Sequence, residues 1–302
     1  MEQLTLALGA RYTYISAESD KIQSPITSDV ISLDRTWNNV ALALEGIYAL
    51  SHSASAYLTV AEGFRAPNFS DLSRFDSARS NEFEVPSTDL EPEQYLSTEL
   101  GLRLTYQNWK FNTGFYYTDI EDQIVRFPTG NVNVDGEFEI SKANATSGEV
   151  YGWEFDFLAQ LNEQLSFRIF GSLNYGETFQ FPESLSEPKK EYIGRLMPHN
   201  VGGIVNYESS DKRWYAQAEI LAQQRADRLS TRDIRDTDRI PPEGTPGHVI
   251  VSLRAGYTVS DTLNLAASIE NVADKDYRIH GSGQNEVGRN ISVALNWDVE
   301  FD

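Results

Sequence analysis

From Leu96 to Tyr106 two kinds of residue alternate strictly. Leu96, Thr98, Leu100, Leu102, Leu104 and Tyr106 interleave with Ser97, Glu99, Gly101, Arg103 and Thr105. Strand side chains point to opposite faces in turn, so this stretch presents one apolar face and one polar face that carries charge. The pattern returns near the end, where Ile291, Val293, Leu295, Trp297, Val299 and Phe301 interleave with Asn290, Ser292, Ala294, Asn296, Asp298 and Glu300. Similar segments lie at about 3–15, 37–49, 54–62, 109–120, 147–159, 163–175, 198–208, 212–223, 247–258 and 261–271, which makes about twelve strands. Most approach the nine to eleven residues of a tilted membrane strand rather than the five or six of a soluble one.

Connection length alternates as well. Tight turns are read at Ser51-His52-Ser53, Gln107-Asn108, Leu161-Asn162-Glu163, Ser209-Ser210-Asp211 and Ser260-Asp261. Long polar loops are read near 16–36, 63–93, 121–146, 176–197, 224–246 and 271–287. Strict alternation puts all tight turns on one rim and all long loops on the other, as in outer-membrane barrels. Aromatic residues sit at matching depth. Tyr48, Tyr106, Tyr207 and Tyr257 precede tight turns, Trp109 and Trp214 follow them, and Trp297 completes a ring. Tyr14, Trp37, Tyr117, Tyr151 and Tyr175 give a second ring at the loop rim, so that the two resemble the girdles at the membrane interfaces. The expected fold is all-β: an antiparallel transmembrane β-barrel with its apolar strand faces toward lipid.

Composition narrows the function. No apolar run in the 302 residues approaches the roughly 20 that a membrane helix needs, but barrel strands escape that test. The formal charge of −20 lacks the basic footprint that nucleic acid requires. It fits either a hydrated loop surface or an acidic mouth that favours cationic ligands. With no Cys there is neither a disulfide scaffold nor a thiolate metal site. No nucleophile elbow, phosphate loop or metal-ligand spacing is present, which argues against an enzyme. Met1-Glu2-Gln3 leads straight into an alternating strand without a signal peptide. An exported barrel needs one, so residues 1–302 are expected to be the C-terminal portion of a longer chain.

Gly63-Phe64-Arg65-Ala66-Pro67-Asn68 and Thr88-Asp89-Leu90-Glu91-Pro92-Glu93 resemble the FRAP and NPxLxPE boxes of TonB-dependent outer-membrane receptors. Glu270-Asn271-Val272-Ala273-Asp274-Lys275-Asp276-Tyr277 resembles their ENLxDxxY segment near the last strands. The resemblance carries the motif residues Phe64, Arg65, Ala66, Pro67, Asp89, Leu90, Pro92, Glu93, Glu270 and Asn271. It implies a barrel of about 22 strands, of which about twelve are present, and an N-terminal plug domain that is not. It further implies residence in the outer membrane, contact with its lipid, and coupling to the TonB complex through the plug. The implied activity is energised uptake of a scarce nutrient, such as a ferric siderophore or a cobalamin-like compound, captured as a metal chelate or similar small molecule. Residues 68–88 contain no His, so haem is not implied. The alternative is a passive porin-like channel. No cofactor is expected.

Three loops offer chemistry for ligand contact, since binding residues concentrate on loops held by a rigid scaffold. The first carries Phe69 and Phe75 beside Arg65, Arg74 and Arg79. In the second, Arg225, Arg228, Arg232, Arg235 and Arg239 recur at spacings of three and four, which would align them on one helix face to grip an anionic ligand. The plainer alternative is local neutralisation by Asp227, Asp233, Asp236 and Asp238. The third carries Tyr277, Arg278 and His280. His199, His248 and His280 are too scattered to argue for a metal site and read as surface residues. Glu99, Glu154, Asp156, Glu219 and Glu270, with Arg11, Arg103, Arg168 and Arg254, read as a wet inner wall whose charges pair across strands.

Overall fold

The computed structural model describes residues 3–24, 30–78 and 81–299. Arg79 and Phe301, both singled out above, lie outside the described residues. The strands are β1 (Leu4–Gln23), β2 (Val30–Ser51), β3 (Ala54–Arg65), β4 (Asp76–Ser77), β5 (Glu82–Glu84), β6 (Glu93–Thr105), β7 (Trp109–Val132), β8 (Phe138–Gln160), β9 (Leu165–Gln180), β10 (Lys189–Tyr192), β11 (Asn200–Glu208), β12 (Trp214–Gln223), β13 (His248–Ser260), β14 (Leu263–Glu270) and β15 (Asn290–Trp297). Two short helices interrupt them, α1 (Phe69–Ser73) and α2 (Thr231–Arg235). Twelve strands form one antiparallel path, β1-β2-β3-β6-β7-β8-β9-β11-β12-β13-β14-β15, in which chain neighbours are spatial neighbours. The count of long strands matches the expectation. The sheet is not closed: among the described residues β1 pairs only with β2, and β15 only with β14.

The register confirms that the two faces are continuous. Tyr48, Ala56 and Leu102 pair in sequence, as do Leu58, Leu100, Phe115 and Trp153. The same face continues through Val201, Ala222 and Val249 to Ile269 and Ile291. Leu8, Leu42, Leu100, Phe115, Val293 and Leu295 stand exposed on it. Large apolar side chains bared to this extent need an apolar medium. The opposite face carries Tyr57, Glu99, Glu154, Asp156, Arg168, Glu219 and Arg254. Several of these pair across strands, for example Arg168 with Asp156 at 2.5 Å and Arg254 with Glu219 at 2.6 Å.

The aromatic ring at the tight turns is present, with Tyr106 stacked on Trp109 at 4.4 Å and Tyr207 tilted against Trp214 at 4.8 Å. At the other end, Tyr117, Tyr151 and Tyr175 form one cross-strand ladder on the apolar face. Trp37 does not belong to it. Its partner in register is Ile15, one step out of phase with Tyr14, so it lies on the polar face and is 5% exposed.

The segments 16–36 and 121–146 are not simple loops. β1 and β2 remain paired from Ser16 and Thr36 to Gln23 and Val30, and β7 and β8 from Gln123 and Ala145 to Val132 and Phe138. These extensions rise beyond the Tyr117–Tyr151–Tyr175 ladder. There the demand for one apolar face ends, and with it the alternation that marks the lower strands. The apolar residues they do carry are used differently: Ala17, Leu33 and Trp37 pack with Ala66, Leu72 and Leu90 of the connection after β3. That connection folds over the polar face, and its β5 adds in parallel to β8.

Candidate functional site

Arg65 ends β3 and Glu93 opens β6, and the two are partners in register. The guanidinium grips the carboxylate through both oxygens, with Nη2 donating to Oε1 at 2.7 Å and Nε to Oε2. Its remaining arm donates to Asp71 at 2.8 Å. Glu93 also accepts from the Tyr95 hydroxyl and, at 2.8 Å, from the Ile124 backbone N–H. The two sequence boxes thus meet as a clasp at the base of one connection, in the bidentate geometry that makes Arg–carboxylate pairs strong. Asp71 has a second role, forming a reciprocal capping box with Asn68 at the start of α1. Burial alone would push its carboxyl upward. Hydrogen bonds from Arg65, the Asn68 backbone and Lys142 outweigh that and hold it below the usual carboxylate range. Ala66 and Leu90 supply apolar packing, with Phe64 against the same cluster, and Pro67 is buried while Pro92 is half-buried. Asp89 is exposed and meets Arg35 at 3.6 Å.

A chain of buried charges runs on from the clasp. Lys142 reaches Asp71 at 3.0 Å and Glu84 at 2.6 Å. Arg126 holds the other oxygen of Glu84 at 2.8 Å, with Arg74 more distant at 4.0 Å. Arg232 meets Glu82 at 2.6 Å across 150 residues of sequence. Buried charges persist only when paired, and here each is paired. Asp71, Arg126, Lys142 and Arg232 also border a crevice of about 240 Å³, shared with Gln123 and Gln180. Arg126, Lys142, Glu82 and Glu84 were not legible as site residues. Two lie in the extension of β7 and β8, which reads as loop, and the alternation of Glu82-Phe83-Glu84 is too short to mark a strand.

The arginine segment departs from expectation. Only Thr231–Arg235 is helical, so the five arginines share no helix face. The cause is legible: Ser230 caps α2 through Asp233, and Pro241-Pro242 bar helix further on. Arg225 holds the Glu243 carbonyl at 2.6 Å and its carboxylate at 3.1 Å. Arg228 lies over the Tyr175 ring at 4.2 Å. Arg235 donates to the Pro182 carbonyl at 2.9 Å and faces Glu183 at 3.5 Å. Arg239 pairs with Asp236 at 3.0 Å, and Arg195 takes the other oxygen of Asp236 at 2.6 Å. Local neutralisation therefore holds in part, but Glu82 and Glu183 come from other connections.

In the last connection, the Tyr277 and His248 rings meet at a tilt with centroids 4.6 Å apart, and Arg278 donates to Asn285 at 3.0 Å. His280 is 5% exposed rather than a surface residue, with Nδ1 at 2.9 Å from the Thr245 hydroxyl. Asn271 adopts φ 50° and closes the turn, its side chain exchanging hydrogen bonds with the Lys275 backbone at 2.8 Å. Glu270 faces Arg254 at 3.7 Å. Phe69 stands exposed on α1 and Phe75 is half-buried beyond it. Among the described residues no group of three or more His, Asp or Glu side chains is placed to hold a metal ion.

A family model described as TonB dependent receptor-like, beta-barrel, matches residues 1–272. The vitamin B12 transporter BtuB of Vibrio vulnificus is 22% identical over 239 residues, which cover 78% of this chain and 33% of that protein. Among solved structures, the copper transporter OprC superposes with a TM-score of 0.78 at 16% identity, covering 98% of this chain and 46% of the other. The ferric-catecholate import receptor Fiu from K12 E. coli gives 0.72 at 16% identity, covering 98% and 42%. The chain thus spans about a third of the curated relative's length and under half of either structure's.

Proposed function

Because this chain belongs to the TonB-dependent receptor β-barrel family, we propose that it serves energised uptake of a scarce, large nutrient across the outer membrane. A ferric siderophore or a cobalamin-like compound is the class favoured. The family match over residues 1–272 carries this reading. The names of the relatives support it: a vitamin B12 transporter in sequence, and a ferric-catecholate import receptor and a copper transporter in fold. The family is one of transporters and receptors, not of enzymes. Coupling to TonB would run through a plug inside the barrel, whose wall is the polar face carrying Glu99, Glu154 and Arg168.

Capture belongs to the loop rim. The exposed members of the three loops, Phe69, Arg225 and Arg235, make first contact with an anionic chelate. Buried members such as Arg232 and His280 hold the loops in shape. Growth of a strain lacking the complete receptor, on ferric siderophore or on cobalamin as the limiting nutrient, tests the function. The reading requires that growth fails on one of them, returns with the gene, and fails again when TonB is removed. Growth restored equally without TonB would instead support a passive channel.

A further inference from the structure

Toward the loop rim the sheet forks between β2 and β3. The two strands pair from Ser51 and Ala54 only as far as Ala43 and Ala61. Beyond that level β3 stays with β6 for four more pairs, Glu62 with Leu96 to Arg65 with Glu93, while β2 stays with β1 as far as Val30 and Gln23. At the fork the Leu42 N–H donates to the Glu62 carboxylate at 2.9 Å instead of to a strand carbonyl. In an antiparallel strand the N–H and C=O of one residue point the same way, and every second residue repeats the direction. Asp34, Thr36, Asn38 and Val40 therefore turn both groups toward the side that β3 has left. Among the described residues no strand pairs with them there. The connection after β3 covers the alternate side chains of β2, packing on Leu33 and Trp37 and accepting from Arg35 through Leu90 and Glu91. Among the described residues, however, no backbone hydrogen bond joins it to β2. Such a row of unpaired groups is a template for one more strand.

Charge selects the occupant. A cleft of about 280 Å³ opens at the fork, between Val40 and Gly63, and Glu62, Asp119 and Glu121 border it. Glu62, Leu96 and Asp119 are successive partners in register, and the row runs on to Glu149 and Glu177. At its far end Lys190 lies between Glu149 and Glu177, at 2.8 and 3.1 Å. The seam end is left acidic: Glu62, Asp119 and Glu121 are not ion-paired among the described residues. On β2 itself Asp34 stands directly opposite Glu18, and like charges so placed weaken a sheet unless a cation joins them. A free edge beside unneutralised carboxylates fits an extended segment whose alternate side chains are basic. A second copy of this chain, at net charge −20, would be repelled.

We propose that the β2 seam docks an extended, lysine- or arginine-rich polypeptide segment as an added strand. The backbone of that segment pairs with Asp34, Thr36, Asn38 and Val40, and its basic side chains meet Asp34, Glu62, Asp119 and Glu121. The seam is separate from the loop residues assigned to nutrient capture and does not depend on which nutrient is carried.

The test uses the complete receptor in detergent and a fluorescent peptide of about ten residues that alternates Lys and Val, with binding read by anisotropy. Two further peptides carry N-methyl groups on all Lys or on all Val residues. A strand turns successive N–H groups to opposite edges, so only one of the two loses the edge that meets β2. That one should bind at least about tenfold more weakly with its charge unchanged, and the other should bind like the parent. Combining Glu62→Gln, Asp119→Asn and Glu121→Gln should weaken the parent peptide about tenfold. Thr36→Pro removes a seam-side N–H, is tolerated on a free edge, and should weaken it with every carboxylate in place. Asp135→Asn, at the tip of the β7–β8 hairpin, should change nothing. Equal binding of the two methylated peptides would show attraction by bulk charge and overturn the proposal, as would unchanged binding in both the charge variant and Thr36→Pro. Amide exchange in the unaltered receptor keeps the test valid if those variants fail to assemble. Exchange should be fast at Asp34, Thr36, Asn38 and Val40, slow at Arg35, Trp37 and Asn39, and slowed at the fast set by the peptide. Uniform protection before peptide is added would show that the edge is already covered, and would overturn the proposal too.

Discussion

Arg65 sits under two obligations, since buried Glu93 and half-buried Asp71 both rely on its guanidinium. Arg65→Ala leaves two desolvated carboxylates short of a donor, a loss of about 1–3 kcal/mol that falls on the loop rather than the barrel. Hydrogen exchange across residues 66–92 should therefore quicken by roughly tenfold or more, while β3 and β6 keep their protection. Unchanged exchange in the loop would show that the clasp is ornamental to its order. His280 makes a pH-dependent prediction. Burial holds its imidazole below the ordinary value, and Arg195 adds to this against the opposing pull of Asp233. Above the unfolded value of about 6.5 both states are neutral and nothing is lost. As pH falls below it, the loosened loop takes up a proton that the packed loop resists, so the packing of residues 271–289 weakens from pH 7 toward pH 5. His280→Gln should flatten that profile. A wild-type profile already flat over the window would contradict the assignment. Sequence singled out Arg65 and Glu93 through the motifs they share with the family, and His280 only as a loop candidate that read as a surface residue. It could not show that Glu93 is gripped by Arg65, or that His280 is buried, because both depend on contacts between distant segments.

Among the strands, one device recurs on the polar face. Tyr57, Tyr116, Phe170 and Tyr215 each lie directly opposite a glycine of the next strand: Gly101, Gly152, Gly202 and Gly256 respectively. In every case the aromatic is on the strand that enters a long connection and the glycine is on the strand that returns. The rings lie flat over the bare backbone, so a Cβ built at Gly101 would fall 2.3 Å from Tyr57, and one at Gly256 would fall 2.2 Å from Tyr215. Gly256→Ala should destabilise the folded chain by about 1–3 kcal/mol, the usual cost of overpacking. Adding Tyr215→Ala should recover part of the loss, as a coupled pair must. Simple additivity in denaturant titrations would remove the pairing from the account. On the other face, Leu102→Arg should impair membrane assembly by about 2–4 kcal/mol where Arg103→Leu is tolerated, and equal tolerance would count against a lipid-facing surface. Strand faces were legible because the membrane imposes one rule on every strand it touches. Beyond the tyrosine ladder the rule lapses. The extensions of β1, β2, β7 and β8 therefore read as loop, while the regular spacing of the arginines read as helix.

At the scale of the molecule, twelve strands in unbroken neighbour order make an open sheet that aligns along 98% of the chain with under half of the copper transporter OprC. Alternating faces, alternating connection lengths and two aromatic levels were enough to give that architecture. The folding of the loops over the polar face was not legible, since it rests on pairs such as Arg232 with Glu82, far apart in the chain and outside any motif. All of this depends on one claim, that the face bearing Leu100 and Leu102 meets lipid and the face bearing Glu99 and Arg103 does not. The absence of Cys makes the claim directly measurable, because single cysteines can be placed along β6 with no background. With a fluorophore on each of Glu99→Cys, Leu100→Cys, Leu102→Cys and Arg103→Cys in the membrane-assembled protein, quenching by lipid-attached nitroxides should alternate with period two. It should be strong at 100 and 102 and weak at 99 and 103. Uniform quenching along the strand, or an alternation of the opposite phase, would contradict the account.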